Sequence, residues 1–151
     1  MKVAIIGTGP MARTVARLVG GTHDVTLWGR DPERSEQASK LNDKIKRASS
    51  VEEATSDAEL VLLAVSIDGL EEVCSAYAPV AKPNQVVLLV SRGVTSDLSL
   101  PHEVIRKKTC SHWVGFMGGP LYAPKDNHNQ VIHAVLASRY PDVQHAVKRL
   151  I

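Results

Sequence analysis

The chain has 151 residues, 44% of them hydrophobic and 23% charged, proportions that suit one packed core and exclude a disordered tract, a collagen-like repeat and a disulfide-dense module. Its 18 Lys and Arg stand against 16 Asp and Glu, a net charge of +2 with no long block of one sign, so neither nucleic acid nor an anionic membrane is expected as a partner. No apolar run approaches the roughly 20 residues of a membrane helix, and Met1-Lys2 leads straight into Val3-Ala4-Ile5-Ile6 without a leader pattern. Cys74 and Cys110 lie far apart with no CxxC spacing. Reduced thiols in a cytoplasmic protein are the simplest expectation, with a Cys74–Cys110 bridge left open.

Short aliphatic runs alternate with segments of helical period, the pattern of parallel strands joined by helical crossovers. Lys2–Ile6 reads as the first strand. Met11–Val19 follows as a helix, with Ala12, Val15, Ala16 and Val19 on one face and Gly20-Gly21 as a left-handed stop. A second strand is predicted over Asp24–Trp28, and Asp31-Pro32 then supplies a capping acceptor and a first-turn proline for a helix running towards Asn42. Ile45–Ala48 is a candidate edge strand. Ser50-Val51-Glu52-Glu53 reads as a capping box. Strands over Leu60–Val65, Val86–Val90, Ser111–Val114 and Val131–Ala137 are interleaved with helices over Gly69–Ala78, Leu100–Lys108 and Asp142–Ile151. Gly115–Gln130, rich in Gly, Pro and Asn, reads as a long loop. The expected fold is α/β, a doubly wound, mainly parallel sheet with helices on both faces, in one domain over residues 1–151.

Gly7-Thr8-Gly9-Pro10-Met11-Ala12 is a G-x-G-x-x-A turn that leaves the first strand and opens the first helix. Gly7 permits the tight turn, Gly9 lets backbone approach a pyrophosphate, and Ala12 lets helix pack close to strand. Free N–H groups and the positive end of the helix dipole suit phosphate oxygens. This context makes the fold Rossmann-type and the expected ligand a nicotinamide dinucleotide. About 20 residues further on, a site selecting NAD carries an acid for the ribose hydroxyls. Here the sequence is Trp28-Gly29-Arg30-Asp31, and a guanidinium suits the 2′-phosphate of NADP. NADP is therefore favoured, with NAD or dual use open. The competing reading leaves Arg30 solvated and Asp31 only as a helix cap.

The fingerprint, together with Val25-Thr26-Leu27-Trp28-Gly29-Arg30, Ala64-Val65-Ser66, Ser91-Arg92-Gly93-Val94 and Gly119-Pro120-Leu121-Tyr122-Ala123, resembles the amino-terminal domain of NAD(P)-dependent glycerol-3-phosphate dehydrogenase over nearly the whole chain. The resemblance implies that Gly7, Thr8, Gly9, Pro10, Met11 and Ala12 form the pyrophosphate turn, that Arg30 meets the adenosine ribose, and that Ala64, Val65, Ser66 and Ala123 lie against cofactor. It also implies a helical second domain that supplies the catalytic lysine and much of the substrate site. Three features depart from the family pattern. Its Ser-Lys-Gly reads Ser91-Arg92-Gly93, the hydroxyl of its Gly-Pro-Ser-Phe-Ala is replaced by Leu121, and the chain ends at Ile151. The Tyr-Leu-Pro element after Asn42 is also missing.

Reduction of a carbonyl needs a proton donor beside the developing alkoxide, and no residue declares itself as that donor. Arg92, at the carboxyl end of a central strand, is placed to contact cofactor or to orient a small anionic substrate, but a guanidinium does not give up its proton. Lys125, Asp126 and His128 follow the Gly-Pro loop and are weaker candidates. His102, His112, His133 and His145 lack metal-ligand spacing, so no metal is expected. Trp28 and Trp113 read as packing residues. Three functions stay open. One is the cofactor domain of an oxidoreductase acting on a small phosphorylated ketone or alcohol, completed by an absent carboxyl-terminal part or a partner subunit. Another is a reductase of a different keto acid such as 2-dehydropantoate. The third is a stand-alone, non-catalytic dinucleotide-binding module, and a homodimer is compatible with each.

Overall fold

The computed structural model describes residues 1–119 and 133–151. Among these, one sheet carries strands β1 (Lys2–Ile6), β2 (Asp24–Trp28), β3 (Ile45–Arg47), β4 (Leu60–Leu63), β5 (Val86–Leu89), β6 (Trp113–Gly118) and β7 (Val135–Ala137). Their spatial order is β3-β2-β1-β4-β5-β6-β7. Every pairing is parallel except β6 with β7. The helices are α1 (Pro10–Val19), α2 (Pro32–Ser39), α3 (Val51–Thr55), α4 (Ile67–Tyr77), α5 (Pro101–Lys108) and α6 (Pro141–Leu150). This is the doubly wound Rossmann architecture expected from the alternation of strand and helix patterns.

Residue alternation along the strands builds two cores. Val3 and Ile5 of β1, Leu60 and Leu62 of β4 and Leu88 of β5 pack with α1 and α6, among Ala12, Ala16, Val143 and Val147. Their neighbours Ala4, Ile6, Val61, Leu63 and Leu89 face the other way, onto Val51, Leu70, Val73, Tyr77 and Ile105 of α3, α4 and α5. With both faces covered, β4 and β5 are buried at every position, which is why they read as continuous aliphatic runs rather than alternating ones. Each fully buried Leu or Ile removes enough apolar surface for about 1.5–3 kcal/mol. A buried polar tie fixes the far end of α4: the Tyr77 hydroxyl donates to Gln85 Oε1 at 2.7 Å, and Gln85 Nε2 donates to the carbonyls of Thr55 and Ala58. Both cysteines are free thiols, Cys74 buried and Cys110 exposed. Burial pushes the Cys74 thiol up to about 12.

Several boundaries differ from the sequence reading. Gly20 caps α1 with φ −64°, not left-handed. A Cβ there would lie 2.7 Å from the Ala16 carbonyl oxygen and 3.1 Å from Ile45, so the glycine serves close packing. Helix α2 stops at Ser39 rather than approaching Asn42, whose side chain instead accepts from Lys44 N–H. The expected capping box is displaced by one residue: Ser50 Oγ accepts from Glu53 N–H, but the Glu53 carboxylate reaches back to Ser49 N–H. β4 and β5 end one or two residues early, at Leu63 and Leu89. β6 begins later than expected and runs through Gly115 to Gly118, so the loop assigned from Gly115 starts too early. A Cβ on Gly115 would sit 2.6 Å from Val143 Cγ1, which makes this glycine a contact between sheet and α6. The remainder of the assigned loop, from Pro120, and Val131 and Ile132 of the last predicted strand lie outside the described residues.

Candidate functional site

In an open parallel sheet, ligands sit beyond the carboxyl ends of the strands where the strand order reverses. Here that point lies between β1 and β4, whose crossovers leave in opposite directions. A cleft of ≈ 540 Å³ opens there, lined by Gly7, Thr8 and Gly9 after β1, Trp28 through Asp31 and Arg34 after β2, and Ala64, Val65, Ser66, Gly69 and Val73 around the end of β4 and the start of α4.

The turn after β1 is fixed by backbone sterics. Gly7 has φ +125°, and a Cβ there would lie 2.3 Å from the Ala64 carbonyl oxygen. Its N–H donates to Trp28 O at 2.7 Å, locking the turn onto β2. Gly9 caps α1 in an extended conformation with no side-chain acceptor, and a Cβ there would meet nothing within 4 Å. The backbone at Gly9 is therefore open on the cleft side, and the first N–H groups of α1 lack a capping partner from Gly9. That is the donor arrangement a pyrophosphate requires. Pro10 begins the helix, Met11 packs against the core and Ala12 is fully buried beneath the turn. Pro10 lacks an N–H, so the first free helical N–H groups of α1 are those of Met11 and Ala12.

At the end of β2 the acid position is held by Gly29, and packing keeps it bare: a Cβ would lie 2.3 Å from Thr8 Cγ2 and 2.9 Å from Ser35 Oγ. Asp31 caps α2, accepting from Glu33 N–H at 3.0 Å and Arg34 N–H at 3.2 Å. Its other oxygen takes the Arg34 guanidinium at 3.3 Å. Arg30 leans across the mouth of the cleft and donates from Nη2 to Glu72 Oε2 on α4 at 2.8 Å. The rim therefore carries two guanidiniums and no carboxylate at the Gly29 position.

Residues 2–144 match the family model described as NAD-dependent glycerol-3-phosphate dehydrogenase N-terminus. The chain belongs to this family. Among curated relatives, glycerol-3-phosphate dehydrogenase (NAD(P)+) of Saccharophagus degradans is 24% identical over 98% of this chain and 45% of its own length. The enzyme of the same name from a Thermoanaerobacter species is 29% identical over 91% of this chain and 46% of its own. The chain thus spans about half the length of these relatives. In fold, glycerol-3-phosphate dehydrogenase of Coxiella burnetii superposes with a TM-score of 0.90 at 17% identity, covering 99% of this chain and 50% of that one. Prephenate dehydrogenase of A. aeolicus superposes with a TM-score of 0.72 at 16% identity, covering 99% and 56%.

For this glycerol-3-phosphate dehydrogenase family member, the structure gathers Gly7, Thr8, Gly9, Arg30, Ala64, Val65 and Ser66 around one cleft. Arg92 stands apart from it, exposed after β5, and its Nη2 donates to the Gly119 carbonyl at 3.2 Å. That bond ties the end of β5 to the end of β6. Beside it, Ser91 is buried and donates to Val65 O at 2.6 Å, so the Ser-Arg-Gly strand end braces the backbone at the end of β4. Gly93 has φ +107°, the left-handed turn that carries the chain away. Ala123, Leu121, Lys125, Asp126 and His128 lie outside the described residues. Sequence reasoning missed Arg34 and Glu72. Arg34 was findable, one helical turn beyond Arg30 at the start of a capped helix; Glu72, 42 residues away on a different helix, gave no local signal.

Among the described residues no helix is long and apolar enough to cross a membrane. A second cavity of ≈ 410 Å³ opens at the opposite, amino-terminal edge of the sheet, among Glu59, Trp113, His145 and Arg149. Among the described residues its lining contains no glycine.

Proposed function

We propose that this chain binds NADP(H) in preference to NAD(H) and forms the cofactor half of a glycerol-3-phosphate dehydrogenase-type oxidoreductase acting on a small phosphorylated ketone or alcohol. The observation that carries the preference is the bare Gly29 between Thr8 and Ser35, flanked by two guanidiniums, Arg30 and Arg34, on the cleft rim. An acid there would bond the ribose hydroxyls of NAD and repel a 2′-phosphate; glycine does neither, and a planar guanidinium pairs with phosphate through two hydrogen bonds.

The pyrophosphate would lie on Gly7-Thr8-Gly9 and the first turn of α1, and the 2′-phosphate between Arg30 and Arg34. Ala64, Val65 and Ser66 would run along the cofactor towards the ends of β4 and β5. When bound, the nicotinamide supplies or accepts the hydride. The chain's own residues bind and orient the cofactor, and Ser91 and Arg92 hold the strand ends beside it. The proton donor and most substrate contacts fall to a carboxyl-terminal part or partner subunit, as the family resemblance implies. Arg92 would then meet the anionic substrate only by leaving the Gly119 carbonyl.

Calorimetric titration with NADPH and NADH tests this reading. Wild type should bind NADPH more tightly, and Arg30→Ala should weaken NADPH about 10- to 100-fold, the loss of a charged hydrogen bond, while leaving NADH nearly unchanged. Equal affinity for both nucleotides in both proteins would contradict the preference, and no binding at millimolar concentration would contradict the cofactor assignment.

A further inference from the structure

We propose that Glu72 on α4 tempers the NADP(H) preference of this cleft by competing with the 2′-phosphate for Arg30, an inference that rests on the cofactor reading above. Arg30 reaches from the end of β2 to the opposite wall, where its Nη2 donates to Glu72 Oε2 at 2.8 Å. The guanidinium lies over Gly69 in the first turn of α4, and a Cβ on Gly69 would sit 3.4 Å from Arg30 Nη2. The pair therefore spans the mouth of the cleft at the point where a phosphate on the adenosine ribose would need that guanidinium.

The two acids of the rim differ in what else they do. Asp31 holds Arg34, but its carboxylate is also committed to the Glu33 and Arg34 N–H groups that cap α2, so it belongs to the helix as much as to the arginine. Among the described residues the Glu72 carboxylate accepts only from Arg30. Both side chains of the Arg30–Glu72 pair are strongly exposed, 71% and 73%, and exposed ion pairs are weak. A dianionic 2′-phosphate can displace Glu72, yet it must do so against both the pair and the repulsion of the carboxylate left beside it. The uncharged 2′-hydroxyl of NAD(H) meets no such opposition. Glu72 thus penalises NADP(H) alone and narrows the gap between the two cofactors.

The test measures dissociation constants for NADPH and NADH in wild type, Glu72→Gln, Arg30→Ala and the Arg30→Ala/Glu72→Gln double variant, with Glu72→Ala as a second substitution. Glu72→Gln and Glu72→Ala should each tighten NADPH about 2- to 5-fold, the size of an exposed charge pair, and change NADH less than 2-fold. In the Arg30→Ala background the same substitution should shift the ratio of the two affinities less than it does in wild type. A wild type that binds NADPH while neither Glu72 variant alters the ratio overturns the inference and leaves the cofactor reading intact. Parallel changes for both nucleotides mean a general effect on α4 and also overturn it, as does an undiminished gain without Arg30. A wild type that binds neither nucleotide removes the cofactor reading and this inference together.

Discussion

Thr95, Asp97 and Ser99 form a tight loop after β5, in which a few hydrogen bonds set a protonation equilibrium. Thr95 Oγ1 and Ser99 Oγ donate to the Asp97 carboxylate, Ser99 N–H adds a third bond, and Leu98 takes φ +62°, a left-handed conformation uncommon for an apolar side chain. These donors, the Thr95 hydroxyl foremost, hold the Asp97 carboxyl at about 2, below its usual 3.8. A depressed folded-state value means the loop's contribution to stability is present above the ordinary carboxyl range and is lost as pH falls towards 2. An NMR titration of the Asp97 carboxyl should give a midpoint near 2; an ordinary aspartate midpoint would show that the three donors do not hold it. Such local chemistry is partly legible in sequence. Asp31 before Pro32 was readable as a cap, and Gly7 as a turn, because each acts on its chain neighbours. Glu72 was not, because its partner is brought to it only by the crossover between β2 and β4.

Between elements, packing decides what glycine means. Gly7, Gly20, Gly29 and Gly115 look alike in the sequence, but only Gly7 among them has a left-handed φ. Gly29 and Gly115 are bare because a neighbouring element lies too close for a Cβ, and Gly20 because the Ala16 carbonyl of its own helix and the Ile45 side chain do. That is why the stop of α1 was expected to be left-handed and the end of β6 to be a loop: composition records the glycine but not the facing helix. Gly115→Ala should therefore destabilise the chain by about 1–3 kcal/mol in urea unfolding, the usual cost of overpacking, by pressing on the buried Val143. Trimming that partner with Val143→Ala in the same chain should make the Gly115→Ala cost smaller. A neutral Gly115→Ala would show that α6 does not approach β6 as closely as 2.6 Å implies.

For the whole molecule, the alternation of apolar strands and amphipathic helices sufficed to predict a mainly parallel, doubly wound sheet, since right-handed crossovers leave few other arrangements. The position of the cleft follows from that topology, because the reversal between β1 and β4 places the glycine turn, the Arg30 rim and Ala64–Ser66 on one edge. The antiparallel pairing of β7 with β6 was not readable, as three residues carry too little pattern to set direction. The edge that carries the glycine turn is where a nicotinamide dinucleotide would sit. Backbone amide chemical-shift mapping during an NADPH titration tests that placement directly. The largest changes should fall on Gly7–Gly9, Gly29–Arg34 and Ala64–Ser66. Changes centred instead on Glu59, Trp113, His145 and Arg149 at the opposite edge of the sheet, or no changes at saturating nucleotide, would contradict it.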